Sequence, residues 1–190
     1  MQEIQIVEAE AAAALIQPLR RQVLEALREP DSASGLARKL ELPRQKLNYH
    51  LRELERLGLL ELVEERRRGN CNERLLRASA RRYVIDPATL GELSADPASI
   101  RDRFSSSYLL ALVTRAVEEL GSLRRRAAEA GQRLATLSMQ VEIRFASAET
   151  REAFSRELAE AIAGLTEKYH AAEGRSFRFL LGAYPKEDRS

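Results

Sequence analysis

The stretch LARKLELPRQKLNYHLRELERLGLL, residues 36–60, decides the fold. Leu47, Leu51, Leu54 and Leu57 recur at spacings of four and three, so residues 44–57 predict a helix with one buried face. Glu41-Leu42-Pro43 breaks the pattern upstream, and Pro43 suits the cap or first position of that helix. Gly58 supplies a left-handed stop at its far end. Before the break, residues 33–40 predict a short helix with Leu36, Ala37 and Leu40 inward, capped by Ser32 or Ser34. Further upstream, Leu15, Leu19, Val23 and Leu27 step by four, and Pro18 splits residues 11–28 into two helices or a kinked one.

After Gly58 the period changes. Residues 59–63 predict a strand and residues 75–85 a second, with Arg66-Arg67-Arg68-Gly69-Asn70-Cys71-Asn72 as a basic hairpin tip between them. Helix, helix, turn, helix, hairpin is the order of a winged helix-turn-helix. Asp86-Pro87 closes this unit, giving domain 1–86, and the Pro, Gly and small polar residues of 87–99 predict a linker.

The remainder, 100–190, predicts a dimerisation domain able to hold an effector. From residue 100 to about 136 a single helix is expected. Leu109, Val113, Ala116, Leu120, Leu123, Ala127, Ala130, Leu134 and Leu137 form a heptad seam along it, alternating steps of four and three. Gly121 and Gly131 weaken such a helix by about 1 kcal/mol each unless close packing uses them. A narrow apolar stripe needs a cover, so Leu109, Val113, Leu120, Leu123 and Leu134 are the expected homodimer contacts. Leu137, Met139, Val141, Ile143 and Phe145 alternate with polar residues, as in a half-buried strand. Residues 149–170 predict an amphipathic helix and 176–184 a second strand. Two strands alone make a weak sheet, so further strands are expected from a second subunit or from Ile4-Gln-Ile-Val7. The fold class is therefore α+β: a winged helix-turn-helix, a long dimerisation helix and a small strand–helix–strand unit.

The chain has 190 residues, 44% of them hydrophobic and 32% charged, which is enough apolar material for a core. It has no apolar run of membrane-spanning length and no signal-peptide pattern at Met1, so a soluble, cytoplasmic protein is expected. The net charge is only +2, yet residues 20–82 alone carry a surplus of +6. A basic region in an otherwise near-neutral chain suits a polyanion; a solvated arginine-rich surface is the plainer reading.

The 36–60 stretch, with Pro18-Leu-Arg-x-x-Val-Leu-x-x-Leu27 before it, resembles the arsenic-repressor-like (ArsR-like) winged-helix transcriptional regulators. These share Leu-Ala, a turn, a helix ending in His-Leu, and Leu-x-x-x-Gly-Leu. The resemblance implies that residues 44–57 are the recognition helix and the hairpin the wing. The residues themselves agree: outside the leucine face lie Arg44, Gln45, Lys46, Asn48, Tyr49 and Arg52, donor-rich side chains suited to base edges and phosphates in a major groove. Arg66, Arg67, Arg68 and Asn70 of the wing suit phosphates or a minor groove, with turn chemistry the alternative for Asn70 and solvated charge for the arginines.

Metal-sensing members of that family carry cysteine pairs or carboxylate and histidine sets on helices; here Ser34-Gly35-Leu36 stands where a Cys-x-Cys would, and the single thiol, Cys71, cannot build a thiolate site. No metal or cofactor is expected. His50 matches the His-Leu position and reads as structural or as a phosphate contact; His170 suits a helix C-terminus. No phosphate-binding glycine loop, nucleophile elbow or His-Glu-x-x-His occurs, so an enzyme is not expected. The reading is a sequence-specific, homodimeric regulator of double-stranded DNA, with a protein–protein adaptor on the same scaffold as the alternative. The C-terminal unit reads either as the site of a small-molecule effector or as a dimer scaffold alone.

Overall fold

The computed structural model describes residues 1–68 and 71–187. It divides into two compact units, Met1–Gln132 and Arg133–Ser190. In the first, helices α1 (Ala9–Ile16) and α2 (Pro18–Ala26) are separated at Gln17, where Pro18 takes the first helical position. Pro18 thus ends one helix and starts the next, as its fixed φ and missing N–H require. A two-residue strand, β2 (Asp31–Ser32), leads into α3 (Ala33–Lys39), whose N-cap Ser32 accepts the Gly35 N–H. Helix α4 (Arg44–Arg56) follows with Pro43 at its N-cap.

The stop after α4 is the expected one. Gly58 sits at φ +67, its N–H reaches the Glu55 carbonyl, and the Leu59 N–H reaches the Leu54 carbonyl. This satisfies two of the helix's orphan carbonyls and brings Leu59 onto Leu54, both fully buried. Leu27, Leu36, Leu47, Leu54, Leu59 and Val23 are the largest fully buried side chains, drawn from α2 and its cap, α3, α4 and the chain just after it. Each contributes about 1.5–3 kcal/mol on leaving water.

The hairpin differs from expectation in two ways. Strand β3 (Leu60–Arg68) and strand β4 (Cys71–Ala78) pair right up to Arg68 opposite Cys71, so Arg66, Arg67 and Arg68 belong to the strand and not to a loop. The register of that ladder shifts between Leu62 and Glu64, where Val63 is the extra, unpaired residue of a bulge. The expected second strand, 75–85, is two strands: β4 ends at Ala78 and β5 (Ala80–Ile85) starts after Ser79. Ser79 donates its N–H to the Leu59 carbonyl and accepts the Gln2 N–H. From there β5 leaves the hairpin and pairs in parallel with β1 (Gln2–Val7), Gln2 opposite Ala80 and Val7 opposite Ile85. Ile4-Gln-Ile-Val7 is therefore a strand of the N-terminal unit.

Residues 87–99 form two short 3-10 turns, Pro87–Leu93 and Pro97–Ser99, opened by the carboxylates of Asp86 and Asp96. Both pack against the long helix α5 (Ser106–Glu129). That helix is shorter than the expected 100–136. It starts at N-cap Ser105 and stops at Gly131, φ +62, where the Gln132 N–H bonds the Ala127 carbonyl. The stop strands Leu134 and Leu137 beyond the helical seam.

In the second unit, α6 (Ala148–Tyr169) forms as expected, capped by Ser147. The two expected strands, 137–145 and 176–184, do not: no ladder includes them, and both run as irregular chain. The alternation is there, but a strand exists only with hydrogen-bonding neighbours. Ile4–Val7 has its own partner in β5.

Candidate nucleic-acid interface

Helix α4 buries Leu47, Leu51 and Leu54 and leaves its other side chains half-buried or exposed. Arg44, Gln45, Lys46 and Arg52 are exposed, and Tyr49 is 63% exposed. Asn48 is half-buried, on the flank facing the hairpin. There Arg44, Asn48 and Arg52 line a cleft of about 170 Å³ with Ser32, Ser34, Glu73 and Arg74. Gln45 and Tyr49, four residues apart, share the outer crest.

Ion pairs sort the basic residues into two groups. Arg74 on β4 makes a two-pronged bond to Glu55 of α4, at 2.6 and 3.1 Å, which ties the hairpin to the helix. Arg56 bridges Glu10 of α1 and Glu53 of its own helix, at 2.8 and 2.7 Å. Arg77 bonds Glu61 across the β3–β4 ladder, and the N-terminal amine reaches the same carboxylate at 3.2 Å. These bonds lower the pKa of Glu10, Glu53 and Glu61, chiefly through the guanidinium hydrogen bonds. By contrast Arg44, Lys46, Arg52 and Arg67 take no ion pair among the described residues. Exposed Arg21, Arg28, Arg38 and Arg82 take none either, so the unpaired cations of α4 and β3 belong to a wider set that also includes α2 and the chain just after it, α3 and β5.

Sequence reasoning missed the anchoring roles of Glu55 and Arg74. They lie 19 residues apart, and only the hairpin's register brings them together. Within the hairpin, Arg66 is exposed and pairs with Glu64 at 3.4 Å. Arg67 is exposed on the opposite face, because successive strand residues alternate. Arg66 and Arg67 therefore lie on opposite faces of the hairpin. Asn70 lies outside the described residues, and of Arg68 only the backbone is described.

His50 lies on the α2 side of α4, with its Nδ1 buried and without a hydrogen-bond partner. Burial, then the neighbouring Arg20 and Lys46, push its pKa below the ordinary imidazole value. Arg20 of α2 is itself 8% exposed, and its Nε also lacks a partner. Tyr49 packs edge-on against the His50 ring, centroids 5.4 Å apart.

Two helices at a tight turn, a core-facing leucine stripe and a paired hairpin are the geometry of a winged helix-turn-helix. Residues 15–63 match the helix-turn-helix domain family. The match runs from the end of α1 into β3, so it covers the whole helix-turn-helix with the outer residues of α4 inside it. The crystal structure of a possible transcriptional regulatory protein (fragment 1–100) from Mycobacterium bovis is similar at 16% identity. That similarity covers 63% of this chain and 88% of that one, with a TM-score of 0.31. The chain matches no curated protein.

The expected dimer contacts lie on α5 and just past it. Val113 and Leu120 are 44% and 42% exposed, Leu109 and Leu123 are half-buried, and Leu134 follows the helix end, half-buried. The helix meets the rest of its own unit through another face. Ala111 and Gly121 are buried, Arg115 pairs with Asp96 at 2.7 Å, Glu118 accepts the Ser94 hydroxyl, and Arg125 reaches Asp86 at 3.3 Å. A Cβ on Gly121 would stand 3.3 Å from Ile6 Cδ1, so glycine lets α5 lie close over β1. No described helix is long and apolar enough to cross a membrane.

Proposed function

We propose that this chain is a sequence-specific transcriptional regulator that binds double-stranded DNA as a homodimer, with residues 1–86 as the DNA-binding part. The Leu-Ala, His-Leu and Gly-Leu pattern supports placing it with the ArsR-like regulators. One observation carries the reading. On α4, where Glu53, Glu55 and Arg56 are taken up in ion pairs, Arg44, Lys46 and Arg52 have no ion pair among the described residues and stand beside exposed Gln45 and Tyr49. In this arrangement the cations hold phosphates, and Gln45, Asn48 and Tyr49 meet base edges.

The homodimer rests on the two faces of α5. Ala111 and Gly121, which pack inward, are offset by two residues from seam positions Leu109 and Leu123. A two-residue step is about 200° of helical turn, so the seam points away from the chain's own contacts. Joining two copies along it would present two recognition helices to a near-palindromic operator.

The test is selection of bound duplexes from a random pool, followed by titration of the selected sequence at several salt concentrations. Asn48→Ala should relax preference at one position, losing about 1–3 kcal/mol of discrimination there. Arg67→Ala should weaken all sequences alike and make the log–log salt slope shallower by about one. Absence of salt-dependent duplex binding even at low ionic strength would overturn the DNA reading in favour of the adaptor.

A further inference from the structure

Among the described residues from 133 onward, none is buried. Leu137, Met139, Val141 and Ile143 are 73%, 81%, 77% and 45% exposed, and Phe177 and Phe179 are 59% and 71% exposed. The chain's accessible surface is 15395 Å². Two separately folded units of these lengths would expose about 11,000 Å² together. The excess, about 4,000 Å², is larger than one chain's share of an obligate interface, about 1,000–2,500 Å².

Residues 137–145 also have the alternation of a strand and lack only a ladder. Ile4–Val7 is paired with β5, and residues 176–184 of the same chain run as irregular chain without pairing to 137–145. We propose that residues 137–145 pair antiparallel with the same segment of a second copy, about a two-fold axis at Ile143.

Charge selects that register. A two-fold axis normal to a sheet keeps each residue on its own face, so it must pass through a residue. Centred on Glu142 or Arg144, the pairing sets like charges opposite one another; centred on Gln140 or Val141, it pairs no charges. Centred on Ile143, Glu142 faces the second copy's Arg144 twice over, and Val141 faces Phe145. Phe145 already holds the Phe154 ring of α6 at 5.4 Å, so the new ladder would continue onto that helix. Glu142 keeps Lys186 of its own chain at 2.8 Å and is still 59% exposed, which leaves it free to take a second cation.

This inference deepens the proposed homodimer and is tested apart from DNA binding. In the full chain carrying Cys71→Ser, Ile143→Cys and Gln140→Cys are made separately, oxidised and run on a non-reducing gel. Facing residues at the axis have Cα atoms about 4.5–5.5 Å apart, within disulfide reach, whereas residue 140 would lie about 20 Å from its copy. Ile143→Cys should cross-link at least about tenfold more than Gln140→Cys, with the parent chain dimeric by sedimentation. A monomeric parent at micromolar concentration would overturn the inference, as would a dimer that cross-links equally at both positions or at neither. Selective duplex binding by a chain that failed this test would leave the DNA reading intact, since a single half-site needs one recognition helix.

Discussion

Helices α3 and α4 end in the same way on different residues. After α4 the left-handed position holds Gly58; after α3 it holds Glu41, at φ +54, with the Leu42 N–H on the Ala37 carbonyl. A side chain in that conformation is strained by about 1–2 kcal/mol, part of which glycine's greater unfolded entropy offsets. Glu41→Gly should therefore raise stability by about 0.5–1 kcal/mol and Gly58→Ala should lower it by about 1 kcal/mol, both read from urea midpoints at unchanged slope. His50 makes a pH-dependent contribution of definite sign. Its folded pKa is depressed, so the unfolded chain takes up the proton first as pH falls through about 6.5. Its contribution to stability is present above that pH and is lost as pH falls through the folded value. His50→Gln should flatten the fall in melting temperature between pH 7 and 5; parallel curves for the two proteins would refute this. The residue types of this region were legible because capping and turn chemistry act over a few neighbours. The burial of Arg20 beside His50 was not, since nothing in either residue's local sequence points to the other helix.

At the scale of the element, α3 is held at its start by a cluster in which an extra carbon at Gly35 would displace the Asp31 carboxylate. Asp31 accepts the Ser32 N–H at 2.7 Å and pairs with Lys39 at 2.8 Å, and its carboxylate fills the space where a Cβ on Gly35 would go. Gly35→Ala should push Asp31 aside, break the Lys39 pair and cost about 1–3 kcal/mol, measured by thermal melting. Lys39→Ala alone should cost under about 1 kcal/mol, as an exposed pair does. Helix α5 was legible as a helix with an apolar seam, but not as one with a second working face. That face is made of Ala111, Arg115, Glu118, Gly121 and Arg125, small or charged residues that a search for hydrophobic periodicity passes over. Its fulcrum is Asp86, 3% exposed, which caps Ala88 and meets Arg125. Arg125→Ala should leave that buried carboxylate short of a partner and lower stability by about 1–3 kcal/mol, without changing the charge on α4.

Across the whole molecule, charge and apolar surface are both distributed unevenly. The surplus noted in residues 20–82 resolves into arginines that brace the fold and cations that remain open. If the open set alone meets DNA, Lys46→Ala should weaken duplex binding while leaving the melting temperature within about 1 °C of the parent. Arg74→Ala should disturb both, because it releases the hairpin from Glu55. The helix-turn-helix was readable from residues 18–27 and 36–60 because its information is local. Leucines recur within seven residues, prolines and glycines mark the turns, and each acts on its own neighbours. What only the tertiary structure decided is which surfaces meet across long separations: Gln2 with Ala80, Gly121 with Ile6, Glu55 with Arg74. Apolar burial is non-directional and many strands would accept β1, so partner choice rests on shape and register in three dimensions, which no short window of residues contains.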